Sequence, residues 1–267
     1  MQYWGHQAKV LKATCAAHKL PENWEDQCKQ SVFCKAYKIK EYNIPAEPFI
    51  NSDQTQMLYA PGDKLTWAET GSSQVLVLGA EEKHAFTVTV GITASGRALP
   101  FQAVYMRRTD HSCPSKQLPY YQAALDVGIQ FVFSGTDTYW ANHETMHPCM
   151  NKILVPYIEE QKQKLNLPKN QKTLWTINVW AVHCSKEFRS WMHKNHPNII
   201  LDYVPGGCTG VGQPCDVGMQ HPFKLSTKQS YHEDVVQNFM KQIQDDKKGT
   251  GTLTVDNHIP TLQKGSV

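Results

Sequence analysis

Three short stretches, far apart in the chain, share one design: a β-prone or apolar run that stops on a polar residue with an oxygen to offer. They are Phe49-Ile50-Asn51-Ser52-Asp53-Gln54-Thr55, Leu174-Trp175-Thr176-Ile177-Asn178-Val179-Trp180 and Gly212-Gln213-Pro214-Cys215-Asp216-Val217-Gly218. The first two read as strands, and the third opens a long amphipathic segment. Strand ends that must meet across such distances call for one sheet around one core, and 267 residues suffice for a core of that size.

The chain between these stretches fits that requirement. Residues 1–45 read as helical and basic, with apolar positions at three- and four-residue spacing in Ala8–Ala13 and Val32–Tyr37. Ile44-Pro45-Ala46-Glu47-Pro48 then breaks the helical pattern. Beyond it the period turns to that of strands: Phe49-Ile50, then a Pro61-Gly62 turn, then Gln74–Leu78. Phe86–Thr93 and Leu99–Tyr105 flank Ala94-Ser95-Gly96-Arg97 as a hairpin. Phe131–Phe133 is a further short strand, and Thr145–Leu165 a helix that Pro156 should kink. Leu174–Val179 and Ile199–Leu201 are strands, Lys186–Lys194 a helix between them, and Asp216–Ile243 a long helix. Residues 245–267 are polar and Gly-rich, and read as a flexible tail. The expectation is an α/β fold with a mixed sheet, carried by residues 46–244 behind a helical connector at 1–45.

Composition excludes several classes. No apolar run is long enough to span a membrane, and the start, Met1-Gln2-Tyr3-Trp4-Gly5-His6, lacks the pattern of a signal peptide. Eight scattered cysteines do not suggest a disulfide scaffold, so they are read as reduced thiols of a cytosolic or nuclear protein. Cys208, Cys215 and His221, or Cys28 and Cys34, offer a zinc reading, but without the paired spacing of a strong motif. A net charge of +3 permits nucleic-acid binding without demonstrating it.

Phosphodiester cleavage uses two divalent ions about 4 Å apart, one activating the nucleophile and one steadying the leaving oxygen. Hard ions of this kind take carboxylate oxygens. Asp53, position 178 and Asp216 have the element types and order of such a ligand set, with one exception: position 178 is Asn. Taken alone, aspartates after strands also serve as loop caps or solvated strand ends.

Two blocks strengthen the metal reading. Asn51–Thr55 and Val204-Pro205-Gly206-Gly207-Cys208-Thr209-Gly210-Val211-Gly212-Gln213-Pro214-Cys215-Asp216-Val217-Gly218, followed by Pro222-Phe223-Lys224, resemble the DDE-superfamily endonuclease domain. Within it the nearest likeness is to pogo/Tigger-type transposases and their CENP-B- and jerky-like domesticated relatives. The second block is similar to the Gln-Pro-Leu-Asp-Val-Gly signature, with Cys215 in place of Leu. Asn178–Phe188 resembles the Asp-x-x-x-x-His block, with Asn178 for Asp and His183 in place. The resemblance covers roughly residues 30–240. It implies an RNase H-like mixed β-sheet flanked by helices, with Asp53 on the first strand, position 178 on the fourth and Asp216 at a later helix. It also implies DNA cleavage and strand transfer with two Mg²⁺ or Mn²⁺ ions, a nuclear setting, and a homodimer as a further expectation. The family's N-terminal DNA-binding region is not recognised in this chain.

Asn178 keeps a carbonyl oxygen but loses the charge, so the activity is expected to be impaired; the alternative is a domesticated module that binds DNA or protein without cutting. Asp202 is the available substitute ligand, with strand-end solvation as its plainer role. Glu144, Glu159 and Glu233 read as solvated helix acids. Arg107, Arg108, Lys116, His183 and Lys224 are the candidates to contact DNA, although a solvated basic loop explains the first three as well, and packing at a helix N-terminus explains His183 at least as well. Trp67, Trp140 and Trp180 could stack bases, whereas Trp175 and Trp191 have the apolar neighbours of core residues.

Overall fold

In the computed structural model, the residues described are 8–12, 20–59, 65–69 and 85–245. Eight strands occur among them: β1 (Ala8–Lys12), β2 (Phe49–Leu58), β3 (Leu65–Glu69), β4 (Ala85–Thr93), β5 (Gln102–Tyr105), β6 (Gln130–Phe133), β7 (Thr173–Ile177) and β8 (Ile199–Tyr203). Six of them form one sheet in the order β6-β5-β4-β2-β7-β8. β4 runs antiparallel to both β2 and β5, while β5–β6, β2–β7 and β7–β8 are parallel. An antiparallel meander extended on either side by parallel strands is the mixed, RNase H-like arrangement that the resemblance implies.

Alternation along the strands gives the sheet two unlike faces. Ile50, Trp175 and Ile177 point to one face and pack with Met146, Ile153, Phe188 and Met192. These come from α3 (His143–Cys149), the π-helical turn Met150–Leu154 that links it to α4 (Val155–Lys164), and α6 (Lys186–Asn195). The opposite face carries Val88, Val90, Ala103 and Tyr105, which pack with Cys215, Phe223 and Tyr231. That cover is the π-helical turn Cys215–Met219 running into α8 (Gln220–Asp245). The remaining helices are α1 (Trp24–Glu41), α2 (Tyr121–Asp126), α5 (Ala181–Cys184) and α7 (Thr209–Gly212).

Local signals explain most of these elements. Asn142 caps α3 by accepting from the Thr145 N–H at 3.0 Å, and the Thr145 hydroxyl accepts in return from the Asn142 N–H at 2.8 Å. The Ser185 hydroxyl likewise caps α6, 3.0 Å from the Phe188 N–H. The helix over 145–165 is present but starts two residues earlier. Pro148 and Pro156, which have no N–H to give, lie on either side of a widened π turn.

One reading is corrected. Ala8–Lys12, which the spacing of Val10 and Leu11 assigns to a helix, is a strand paired antiparallel with β3, Val10 opposite Trp67. Five residues, two of them lysines, are too few to fix a period, and pairing with a distant strand decides it. The expected turn at Pro61-Gly62 and strand at Gln74–Leu78 lie outside the described residues.

Candidate active site

The site is built from the middle of β2. Asn51 and Asp53 share the face toward α8, and both are buried, at 5% exposure each. The Gln213-Pro214-Cys215-Asp216 segment returns 160 residues later and is fastened to this strand. The Gln213 side chain, fully buried, donates from Nε2 to the Ser52 carbonyl at 3.0 Å. Its Oε1 accepts from Asn51 Nδ2 at 3.0 Å, and Asn51 Oδ1 accepts from the Cys215 N–H at 3.0 Å. Asn51 Nδ2 also donates to the Thr176 carbonyl on β7 at 3.1 Å. On the other face the Trp175 indole N–H donates to Ser52 Oγ at 2.6 Å, so β2 is tied to its neighbour on both sides.

The result is that Asp216, in the π turn, meets Asp53. Burial first, and then the negative charge of Asp216, push the Asp53 carboxyl up to about 7. Gln220 Nε2 donates to Asp53 Oδ2 at 2.6 Å and, with the Gln54 N–H, pulls the other way without prevailing. The charge of half-buried Asp216 thus adds to burial in disfavouring ionisation of Asp53. Such a pair is a built-in affinity for a cation.

Asn178 stands just past the end of β7. Thr176, level with Asn51, closes the β2–β7 register, and Asn178 follows two residues beyond it. Its side-chain oxygen lies 3.1 Å from Nδ1 of His183, and its carbonyl 3.2 Å away. With two acceptors facing Nδ1, that nitrogen carries the proton. His183 is buried beside Trp175, Trp180 and Phe188, and burial drives its imidazole down to about 4, so it is neutral at pH 7. Its Nε2 has no hydrogen-bond partner among the described residues. His183, at 3% exposure, therefore packs and orients Asn178, which is the packing alternative to a phosphate contact.

Asp202 is not a spare ligand. It lies 5% exposed on β8, with Lys38 Nζ 2.7 Å from Oδ1 and Lys35 Nζ 3.1 Å from Oδ2. The Thr176 hydroxyl adds a contact at 3.4 Å. Both oxygens serve to anchor α1 onto the sheet.

Among the described residues no three His, Cys, Asp or Glu side chains gather as a metal cluster, so neither cysteine-based zinc reading is assembled. Cys215 points instead to the carbonyl of Asn51, at 3.5 Å.

The basic candidates are exposed. Arg107 and Arg108 follow the end of β5, Lys116 lies in the loop beyond, and Lys224 is in the first turns of α8. Arg107 has φ of 112°, held by a backbone bridge to Thr136, and Arg108 lies 3.9 Å from Asp137. Of the tryptophans, Trp175 is core at 1% exposure, Trp191 stacks on His147, and Trp140 is half exposed.

Sequence reasoning missed the three carboxamides that shape the site. Asn51 and Gln213 lie inside the quoted motifs, but nothing in a sequence shows which amide reaches which carbonyl. Gln220 carried a weak signal: it falls one helical turn after Asp216 and so shares its face.

The family described as DDE superfamily endonuclease matches residues 83–265. No curated protein matches the chain. Among solved structures, the catalytic domain of Mos1 mariner transposase is similar at 10% identity and a TM-score of 0.45, over 94% of this chain and 90% of that one. A pre-cleavage Mos1 transpososome is similar at 11% identity and a TM-score of 0.47, over 96% and 63%. The Mos1 paired-end complex with Mn is similar at 11% identity and 0.45, over 96% and 62%. The chain thus spans about 62% of the length of the first Mos1 transposase chain it matches.

Proposed function

The chain belongs to the DDE superfamily of endonucleases, and from that premise we propose that it is a transposase-type catalytic domain whose DNA-cutting centre is Asp53, position 178 and Asp216, impaired as it stands by Asn178. The observation that carries the reading is the forced meeting of Asp53 and Asp216 at a buried strand, where burial first and the charge of Asp216 second hold the Asp53 carboxyl up to about 7. A divalent ion relieves that crowding by displacing the shared proton.

The donor set fits a hard cation. Two carboxylates and a carboxamide oxygen suit Mg²⁺ or Mn²⁺, and neither thiol nor neutral imidazole points into the pair. When bound, such an ion supplies Lewis acidity at a phosphate oxygen and a more acidic attacking water. Asp53 and Asp216 hold the cation, and Gln220 fixes the rotamer of Asp53. His183 holds the side chain at position 178 through Nδ1, while its aromatic surround keeps water from that contact.

With Asn178, two carboxylates face up to four positive charges if two ions enter, which leaves much of that charge uncompensated. The loss corresponds to orders of magnitude in rate. DNA as substrate, contacts from Arg107, Arg108, Lys116 and Lys224, a nuclear setting and a homodimer belong to the same proposal.

A second reading has its own observation: the Asn178 oxygen is engaged by His183, as in a site kept for shape and not for cutting. It is a domesticated domain that binds DNA or protein without catalysis. The two are separated by a paired cleavage assay on branched or pre-nicked DNA with Mn²⁺ or Mg²⁺, comparing this chain with Asn178→Asp. Cutting by the Asp form alone is the expected result. Equal cutting by both would sink the role given to position 178. Silence from both, with DNA binding kept, favours the second reading.

A further inference from the structure

Four hydrogen bonds at the site are made by two buried side-chain amides. Asn51 and Gln213 sit 162 residues apart, and their side-chain amides bond to each other at 3.0 Å. Each amide then takes hold of a backbone: Gln213 that of β2 at Ser52, Asn51 that of the incoming turn at the Cys215 N–H, and Asn51 also that of β7 at Thr176. Exposure is 0% for Gln213 and Cys215 and 5% for Asn51. Inside a low-dielectric interior such a network is stiff, because breaking one bond strands a buried donor or acceptor.

The fastened points lie next to the carboxylates in sequence. Asp53 is two residues beyond Asn51, on the same side of the strand, and Asp216 directly follows Cys215. Resting on the metal-dependent reading above, we propose that the Asn51–Gln213 amide pair is a latch that sets the Asp53–Asp216 separation, so that Gln213 is a positioning residue governing the affinity of the site for a divalent ion. Fixing ligands before the ion arrives removes a cost that binding would otherwise bear. The glutamine of the Gln-Pro-Cys-Asp stretch thereby gains a physical role: only a side chain of that length, with both a donor and an acceptor, spans from the turn to Ser52 and Asn51 at once.

The test measures Mn²⁺ binding by electron paramagnetic resonance on the full 267-residue chain carrying Asn178→Asp. It is repeated with Gln213→Met, which keeps the volume and removes both bonds, and with Gln213→Asn, which keeps the amide one methylene short. Gln102→Met is the control for general destabilisation. Gln102 is also fully buried and its amide also holds a backbone carbonyl, that of Thr145 at 2.9 Å, but it lies on the other face of the sheet. The expected result is a tenfold or greater loss of Mn²⁺ affinity in both Gln213 variants, with Gln102→Met within twofold of the parent. Unchanged affinity in a folded Gln213 variant overturns the latch and leaves the metal site standing. Failure of both Gln213 variants to fold also overturns it, since the residue then serves folding as a whole. A parent that binds Mn²⁺ no better than its Asp53→Asn derivative overturns the metal reading itself, and the latch with it.

Discussion

Asp53 concentrates the electrostatics of the molecule. A carboxyl held at about 7 in the folded state, against 3.8 for the unperturbed group, binds its proton more tightly folded than unfolded. Between those values the folded state therefore holds more protons, and stability falls as pH rises from about 4 to about 7. The contribution is on the order of 1–3 kcal/mol. Two outcomes follow in thermal unfolding. Asp216→Asn removes the neighbouring charge and is expected to raise Tm at pH 8 by a few degrees, while abolishing Mn²⁺ stabilisation. In the unaltered chain, Mn²⁺ is expected to raise Tm at pH 8 and to leave it unmoved at pH 5, where the proton already occupies the pair. A Tm of Asp216→Asn at pH 8 equal to or below that of the parent would remove the basis for this account. Arg107, at φ 112°, offers a second residue-scale outcome. Arg107→Gly relieves a conformation that costs roughly 1 kcal/mol, so it should stabilise the fold slightly while weakening DNA binding in a gel-shift titration.

Among the elements, α1 is tied to the sheet through one buried carboxylate, Asp202. Asp202→Asn leaves Lys35 and Lys38 without a counter-charge, and because both lysines are partly exposed a loss of about 1 kcal/mol is expected. Hydrogen exchange should speed up over residues 24–41 and stay unchanged over β4. Because Asp202 is spent on α1, the same variant should not alter Mn²⁺ affinity; a marked drop would reinstate it as a ligand. Sequence and structure part ways at this scale for physical reasons. β4, β7 and α6 were legible because each carries its own period, cap or hairpin turn over enough residues to outweigh chance, whereas β2 was read only as Phe49-Ile50 and in fact runs through Asp53 to Leu58. β1 was not, since five residues fit two periods and its partner is β3, more than fifty residues on. The two π turns were unreadable because an extra residue in a turn leaves no mark on composition. Asp53 and Asp216 could be found from the motifs around them, but the amide latch and the capture of Asp202 by two lysines are facts of tertiary contact alone.

For the molecule as a whole, DNA binding should behave as phosphate neutralisation with little reading of bases. The logarithm of the affinity is expected to fall linearly with the logarithm of salt concentration, and alanine at Arg108, Lys116 or Lys224 to lower the slope by about one each. A slope unchanged by all three would place the DNA elsewhere. No helix among the described residues is long and apolar enough to cross a membrane.

The sheet order has a further consequence, in the time domain. β2 finds β4 soon after both leave the ribosome, yet its other edge waits for β7, and Asn51 is 125 residues from Thr176. At common elongation rates that interval is on the order of 10 s. During it the nascent chain presents an unpaired strand edge, open to the wrong partner. Synthesis speed and chaperone supply, more than final stability, should therefore govern how much of this protein is recovered folded.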